Sequence, residues 1–212
     1  MKIAIIGASG KAGNLILKEA VSRGHEVTAI VRNASKLGEK NVAVIEKSIF
    51  DLTSEDLKEF EVVVNAFGAP LGEEQPHVDA GHAFIEALKG TNTRAIIVGG
   101  AGSLYADENQ TVTVVETPDF PDAFVPTAKG QGRNLQELKN TTDISWTFIS
   151  PSAVFDAEGK RTGSYQSGKD NLLVNSKGES YISYADYAIA VLDEIENPKH
   201  INERFTVVGE AE

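Results

Sequence analysis

Short apolar runs alternate along this chain with stretches whose apolar positions recur three and four residues apart. The first run, Ile3 to Ile6, has no polar interruption, as expected of a strand covered on both faces of a parallel sheet. Ala12, Leu15, Ile16 and Ala20 then share one helical face, with Lys11, Lys18 and Glu19 outside it. The same reading predicts strands at 26–32, 41–49, 61–68, 94–102 and 144–151, with helices at 76–89 and 127–138. Gly24 is placed to stop the first helix.

This rhythm predicts an α/β fold: a doubly wound parallel sheet with helices on both faces and right-handed crossovers. Ligands of such sheets bind beyond the carboxyl ends of the strands. The last third departs from the pattern. Residues 158–180 are polar and dotted with glycine, and are expected to form a small C-terminal excursion over the site, with a hairpin as one option. A helix over 182–196 follows, with Ser183 and Asp186 read as a capping pair, and a last strand over 204–209. No repeat or interdomain linker is visible, and 212 residues fit one domain spanning 1–212.

The turn after the first strand carries Gly7, Gly10 and Gly13 in the spacing G-x-x-G-x-x-G. Between a strand and a helix, such glycines permit a tight turn, a close backbone approach to pyrophosphate and close helix–strand packing. The helix N-terminus adds free N–H groups and the positive end of its dipole. At the end of the second strand, where an NAD site carries Asp or Glu, this chain has Arg32, followed by Asn33, Ser35 and Lys36. A guanidinium grips a 2′-phosphate with paired, charge-assisted bonds. NADP(H) is therefore favoured, with NAD(H) as the second option.

Composition narrows the partners. With 31 acidic against 20 basic side chains the net charge is −11, which disfavours a general nucleic-acid surface. The apolar runs are strand-sized, so no membrane span is expected. Cysteine is absent, which excludes disulfides and thiolate chemistry and is compatible with a cytoplasmic protein. His77 and His82 lie five apart in a helix, not the four that would put two ligands on one face, and no metal is assigned.

The segments MKIAIIGASGKAG, HEVTAIVRN, VVVNAFGA, IIVGGAGSLY, DFP, SWTFISPSA, KRTGSY, KGESYISYADYAIAVLDE and HINERFTV together span nearly the whole chain. In them the sequence resembles the bacterial NADH-flavin-reductase-like proteins, of the biliverdin reductase B/flavin reductase-like branch of atypical short-chain dehydrogenases/reductases. The resemblance implies a Rossmann-type fold binding NAD(P)H, with a flavin, quinone or similar small planar molecule as hydride acceptor. It places Gly7, Ala8, Ser9, Gly10, Lys11 and Ala12 in the pyrophosphate loop and Arg32 at the 2′-phosphate. Asp51 and Leu52 would flank the adenine, and Ala66, Phe67 and Gly68 the ribose. Gly99, Gly100 and Ala101, with Ser150, Pro151, Ser152 and Ala153, would border the nicotinamide.

Most short-chain dehydrogenases use a Ser with a Tyr and Lys at Y-x-x-x-K, the lysine tuning the tyrosine for proton exchange. In "VPTAK" the lysine persists as Lys129, Val125 stands in the tyrosine position, and Gly100 stands in the serine position with Ser103 three residues on. Ser103 and Lys129 are thus the remaining catalytic candidates, each equally readable as a turn serine and a solvated lysine. Tyr105, Arg161 and Tyr165 are further acceptor-site candidates, and Phe67 a cofactor wall. Hydride transfer to a flat ring does not require the lost tyrosine, because the chemistry resides in the two heterocycles. Two functions stay open: an NAD(P)H-dependent reductase, and a non-catalytic NADP(H)-binding redox sensor of the NmrA-like kind.

Overall fold

In a computed structural model of the chain, which describes residues 1–39 and 41–211, the alternation becomes a two-sided sheet. The elements run β1 (Lys2–Ile6), α1 (Lys11–Ser22), β2 (Glu26–Val31), β3 (Ala43–Glu46), α2 (Ser54–Leu57), β4 (Val62–Asn65), α3 (Gln75–Leu88), β5 (Arg94–Val98), α4 (Val125–Lys139) and β6 (Ser145–Ser150). Then come β7 (Val154–Asp156), β8 (Gln166–Gly168), β9 (Tyr181–Ser183), α5 (Tyr184–Glu196) and β10 (Glu203–Val208). The main sheet has the order β3-β2-β1-β4-β5-β6-β10-β8, parallel throughout except for antiparallel β8 at one edge. This is a Rossmann-like arrangement, and the order reverses between β1 and β4, where its ligands bind.

The uninterrupted apolar strands have a direct cause. Side chains of a strand alternate between faces, and here both faces are buried. Ile3, Ile5, Val62, Val64, Ile96 and Ile149 enter one core with Ile16, Leu17, Tyr187 and Val191 from α1 and α5. Ala4, Ile6, Val63, Ala95, Ile97 and Phe148 enter the other with Phe84, Leu88, Leu135 and Leu138 from α3 and α4. Neither face can spare a polar position, so the period-two signal disappears.

The predicted strands are longer than the observed ones mainly at their carboxyl ends. The 61–68 run pairs only to Asn65, and the 94–102 run only to Val98. The leftover residues are turns at the ligand edge. In the excursion no hairpin forms. β7 and β9 instead pair in parallel as a separate two-stranded sheet, and β8 joins β10.

The capping pair forms only in half. The Ser183 hydroxyl accepts the Asp186 N–H at 3.0 Å, as an N-cap should. The Asp186 carboxylate does not return the bond. It is buried and accepts the Thr162 N–H at 3.0 Å, the Gly163 N–H at 2.9 Å and the Thr162 hydroxyl at 2.7 Å. One helical carboxylate therefore fastens the excursion to α5. Asp186→Ala should strand two backbone N–H groups and cost about 2–4 kcal/mol of stability. Urea denaturation of the variant and the parent measures this; an unchanged midpoint would refute the fastening role.

Candidate functional site: a cleft at the carboxyl edge of the sheet

A cleft of about 430 Å³ opens over the carboxyl ends of β1, β2, β4 and β5. Its floor is the turn from β1 to α1. Gly7 has φ +75°, a conformation that favours glycine, and a Cβ there would lie 2.5 Å from the Ala66 carbonyl oxygen. A Cβ on Gly13 would lie 2.3 Å from the Gly7 carbonyl oxygen. The protein's own packing thus dictates both residues.

Gly10 is different. Its backbone is extended, with φ −79° and ψ 168°, and a Cβ would meet nothing closer than the Gly7 oxygen at 3.2 Å. It is the N-cap of α1, yet no side chain caps the helix, and the first bond of the turn is Asn14 N–H to Gly10 O. The N–H groups of Lys11, Ala12 and Gly13 are therefore left for a ligand, at the positive end of the helix dipole. This donor set fits a pyrophosphate.

The charge of the cleft opposes that of the chain. Lys11, Arg32 and Lys47 line it, and among the described lining residues there is no Asp or Glu. Arg32 is exposed and has no ion-pair or hydrogen-bond partner among the described residues. The turn that follows is fixed by other means. Asn33 accepts the Ser35 N–H at 2.9 Å and its hydroxyl at 2.6 Å, and Glu46 accepts the Ala34 N–H at 2.7 Å. Lys47 is held by Asp56 at 2.7 Å, and the ammonium keeps that carboxyl below its ordinary range. The Lys11–Glu158 pair is long, at 3.5 Å, and exposed, so it restrains Lys11 little.

The inner end is apolar and aromatic. Ala66, Phe67 and Gly68 follow β4, Val98 and Gly99 end β5, Gln131 projects from α4, and Phe155 and Tyr184 come from β7 and α5. Phe67 is held edge-on between Phe50 at 5.9 Å and His77 at 5.8 Å. Behind it, a polar cavity of about 20 Å³ separates α3 from α4. His77 Nε2 and Asn134 Oδ1 are buried without partners, and burial lowers the His77 pKa. The cavity exceeds the size needed for one water, which would satisfy both atoms.

Of the residues singled out in the sequence, Gly7, Ser9, Gly10, Lys11, Ala12, Gly13, Arg32, Ala66, Phe67, Gly68 and Gly99 line the cleft. The others do not. Ala8 lies fully buried in the core of the α1 and α5 face. Asp51 is exposed on a 3₁₀ turn and Leu52 is buried, while Lys47, Ser48 and Ile49 of the same segment reach the cleft instead. Gly100 and Ala101 lie beyond the lining; a Cβ on Gly100 would lie 2.1 Å from the Gln131 amide oxygen, so this glycine makes room for Gln131. Ser150, Pro151 and Ser152 are buried, and Ala153 is exposed. Ser150 O accepts the Thr206 hydroxyl and Ser152 donates to Val207 O, so these residues join β6 to β10.

Ser103 and Lys129 are also displaced. With Tyr105 they line a separate groove of about 210 Å³ on the far flank of α4, where Ser103 accepts from Arg204 at 3.2 Å. Arg161 and Tyr165 lie elsewhere, bonded to Glu19 and Asp193 respectively. His77 is buried between the helices, whereas His82 is exposed and bonded to Glu137. Among the described residues no group of three or more His, Cys, Asp or Glu is arranged to hold a metal ion, and no helix is long and apolar enough to cross a membrane.

Comparison with known families agrees with this geometry, since a family described as NAD(P)H-binding matches residues 7–198. The chain belongs to the NAD(P)H-binding family. It is 66% identical to the uncharacterized protein YwnB of Bacillus subtilis, over the full length of both. Among solved structures, it is similar to Streptococcus pneumoniae SP1627, titled a candidate NADH-flavin reductase. The TM-score is 0.93 and the identity 45%, covering 99% of this chain and all of that one. A Bacteroides thetaiotaomicron protein titled a candidate epimerase aligns with TM-score 0.90 and 36% identity, covering 100% of this chain and 98% of its own.

The glycines separate folding from binding in a testable way. Gly10→Val should fold with a melting temperature lowered far less than that of Gly13→Val, its Cβ lying 3.2 Å and not 2.3 Å from the Gly7 oxygen. It should lose NAD(P)H binding, because a branched side chain then stands at the N-terminus of α1 that lines the cleft. Gly13→Val should fail to fold stably, since its Cβ meets backbone. Calorimetric titration and thermal melts of both variants check this; intact nucleotide affinity in folded Gly10→Val would place the pyrophosphate elsewhere.

Proposed function

We propose that this protein is an NAD(P)H-dependent reductase that prefers NADPH and passes hydride to a flavin or another small planar acceptor. The observation that carries the reading is the cleft itself: a cationic end without carboxylates, in a chain of net charge −11, joined to an aromatic inner end. The bound dinucleotide would supply the hydride. The chain's own residues would bind and orient it. The free N–H groups of α1 and Lys11 face the pyrophosphate, and unpaired Arg32 faces the 2′-phosphate, where a carboxylate would repel it.

The two solved relatives carry different activity names, so the choice between reduction and epimerisation rests on the inner end. Phe67, Val98 and Phe155 give it flat, apolar walls, which suit an aromatic ring better than the hydroxyl-rich face of a sugar. Gly100 stands in the usual serine position, and Ser103 and Lys129 line another groove, so proton exchange through these residues has no support. Holding donor and acceptor rings in near-attack contact supplies much of the rate in such a site. The redox-sensor reading shares the cofactor end and differs only in lacking turnover.

NADPH should bind more tightly than NADH, and Arg32→Ala should narrow the gap by about tenfold to a hundredfold, the scale of one charge-assisted phosphate contact. Titration of both nucleotides decides the preference, and equal wild-type affinities would end it. NADPH oxidation with riboflavin, FMN and quinones decides the activity: steady turnover supports the reductase, and tight NADPH binding without turnover supports the sensor.

A further inference from the structure

The inner end of the cleft contains an acid that the sequence patterns did not single out. Tyr184 is the first residue of α5, and its ring packs on Phe155 with centroids 3.9 Å apart. Both rings line the cleft. Three of the other tyrosines bond their hydroxyls within the fold: Tyr165 to Asp193, Tyr181 to Asp156 and Tyr187 to the Ile149 carbonyl. The Tyr184 hydroxyl has no such partner among the described residues. Ring contacts and helix position therefore fix the phenol while its O–H stays free.

The remaining proton-bearing side chains of the cleft are poor alternatives. Ser9 and Lys11 belong to the turn at α1, and Arg32, Lys47 and Ser48 to the ends of β2 and β3. Gln131 lies at the inner end, but its carboxamide N–H groups donate hydrogen bonds and are far too weakly acidic to give up a proton.

We propose that the Tyr184 phenol donates the proton that completes reduction of the planar acceptor. The inference rests on the reductase reading. Reduction adds a hydride and a proton: the C4–H bond of the dihydronicotinamide breaks, and its hydrogen forms a new bond to the acceptor ring with both electrons. The negative charge this leaves on a conjugated oxygen or nitrogen of the acceptor takes the proton as the Tyr184 O–H breaks. Solvent water at the open cleft reprotonates the phenolate, and the net change is NAD(P)H plus acceptor plus H⁺ to NAD(P)⁺ plus reduced acceptor. Burial and the charge of Asp156 raise the Tyr184 pKa, so the phenol keeps its proton through the neutral range and enters each turnover as a donor.

Tyr184→Phe isolates this role, because removing an unpartnered hydroxyl while keeping the ring leaves the packing intact. The variant should melt with the parent and bind NADPH within about twofold of it. Single-turnover oxidation of bound NADPH by FMN should slow by about a hundredfold, the scale of a lost general acid. FMN binding to the NADP⁺-loaded protein, followed by flavin fluorescence, should weaken by about tenfold for the lost hydrogen bond. A variant whose oxidation rate and FMN affinity both stay within about twofold of wild type would overturn the assignment and leave the reductase reading standing. A wild-type protein that oxidises NADPH with no flavin or quinone would overturn both.

Discussion

A Cβ at Gly13 would lie 2.3 Å from the Gly7 carbonyl oxygen, and one at Gly7 would lie 2.5 Å from that of Ala66. Because neither position has a side chain, α1 descends onto the end of β1 and the turn seats against the end of β4. β1 and β4 are the strands between which the sheet order reverses. The same approach therefore closes the packing and leaves the α1 N-terminus facing the crevice made by that reversal. A bulkier turn would push the helix outward, and the sheet would lose its contact with α1 and its phosphate site together.

Placing positive charge in that crevice works against the average field of the protein. At net charge −11 a distant anion is repelled, but the Debye length at physiological salt is only about 8 Å. Within that range the unpaired Arg32 and the helix end stand against no described lining carboxylate, while Asp56 and Glu158 just outside the lining offset Lys47 and, more weakly, Lys11. The surplus of acidic groups elsewhere disfavours polyanions, which need an extended basic surface. A small dinucleotide needs only the local one. Selection between the two kinds of anion thus follows from where few cations stand and not from the net charge.

The sheet and its turns were legible because their causes are local. Fully buried strands exclude polar residues, Gly13 is dictated by the Gly7 backbone within the same turn, and Gly7 by its own positive φ as well as by the distant Ala66 carbonyl. The turn and the β2 end that carry most of the phosphate end were legible for the same reason, whereas Lys47, Ser48 and Ile49 after β3 line it in place of the expected Asp51 and Leu52. The inner end was not. Gln131, Phe155 and Tyr184 come from α4, β7 and α5, which meet only after the excursion has folded back. The family resemblance pointed to Ser150, Pro151, Ser152 and Ala153, of which Ser150 and Ser152 are taken up by the join of β6 to β10. The signal available for Tyr184 was a polar aromatic directly after the Ser183 cap, and its meaning depends on the contact with Phe155 that brings both rings to the cleft.

The two ends of the sheet also differ in whether their charged side chains are bound within the protein. Near the amino end of β5, the Arg94 guanidinium binds the Glu194 carbonyl at 3.0 Å and Thr147 at 2.7 Å, and it pairs with the Glu194 carboxylate. That carboxylate also accepts the backbone N–H groups of Lys199 and His200 and is bonded to the His200 ring. Breaking such a buried pair is costly, so this end resists opening. At the carboxyl end Arg32, Gln131, the Tyr184 hydroxyl and the first N–H groups of α1 have no protein partner among the described residues. The helix fixes its N–H groups and the contact with Phe155 fixes the Tyr184 ring, so a ligand meets these groups already oriented and little of their ordering remains to offset its binding.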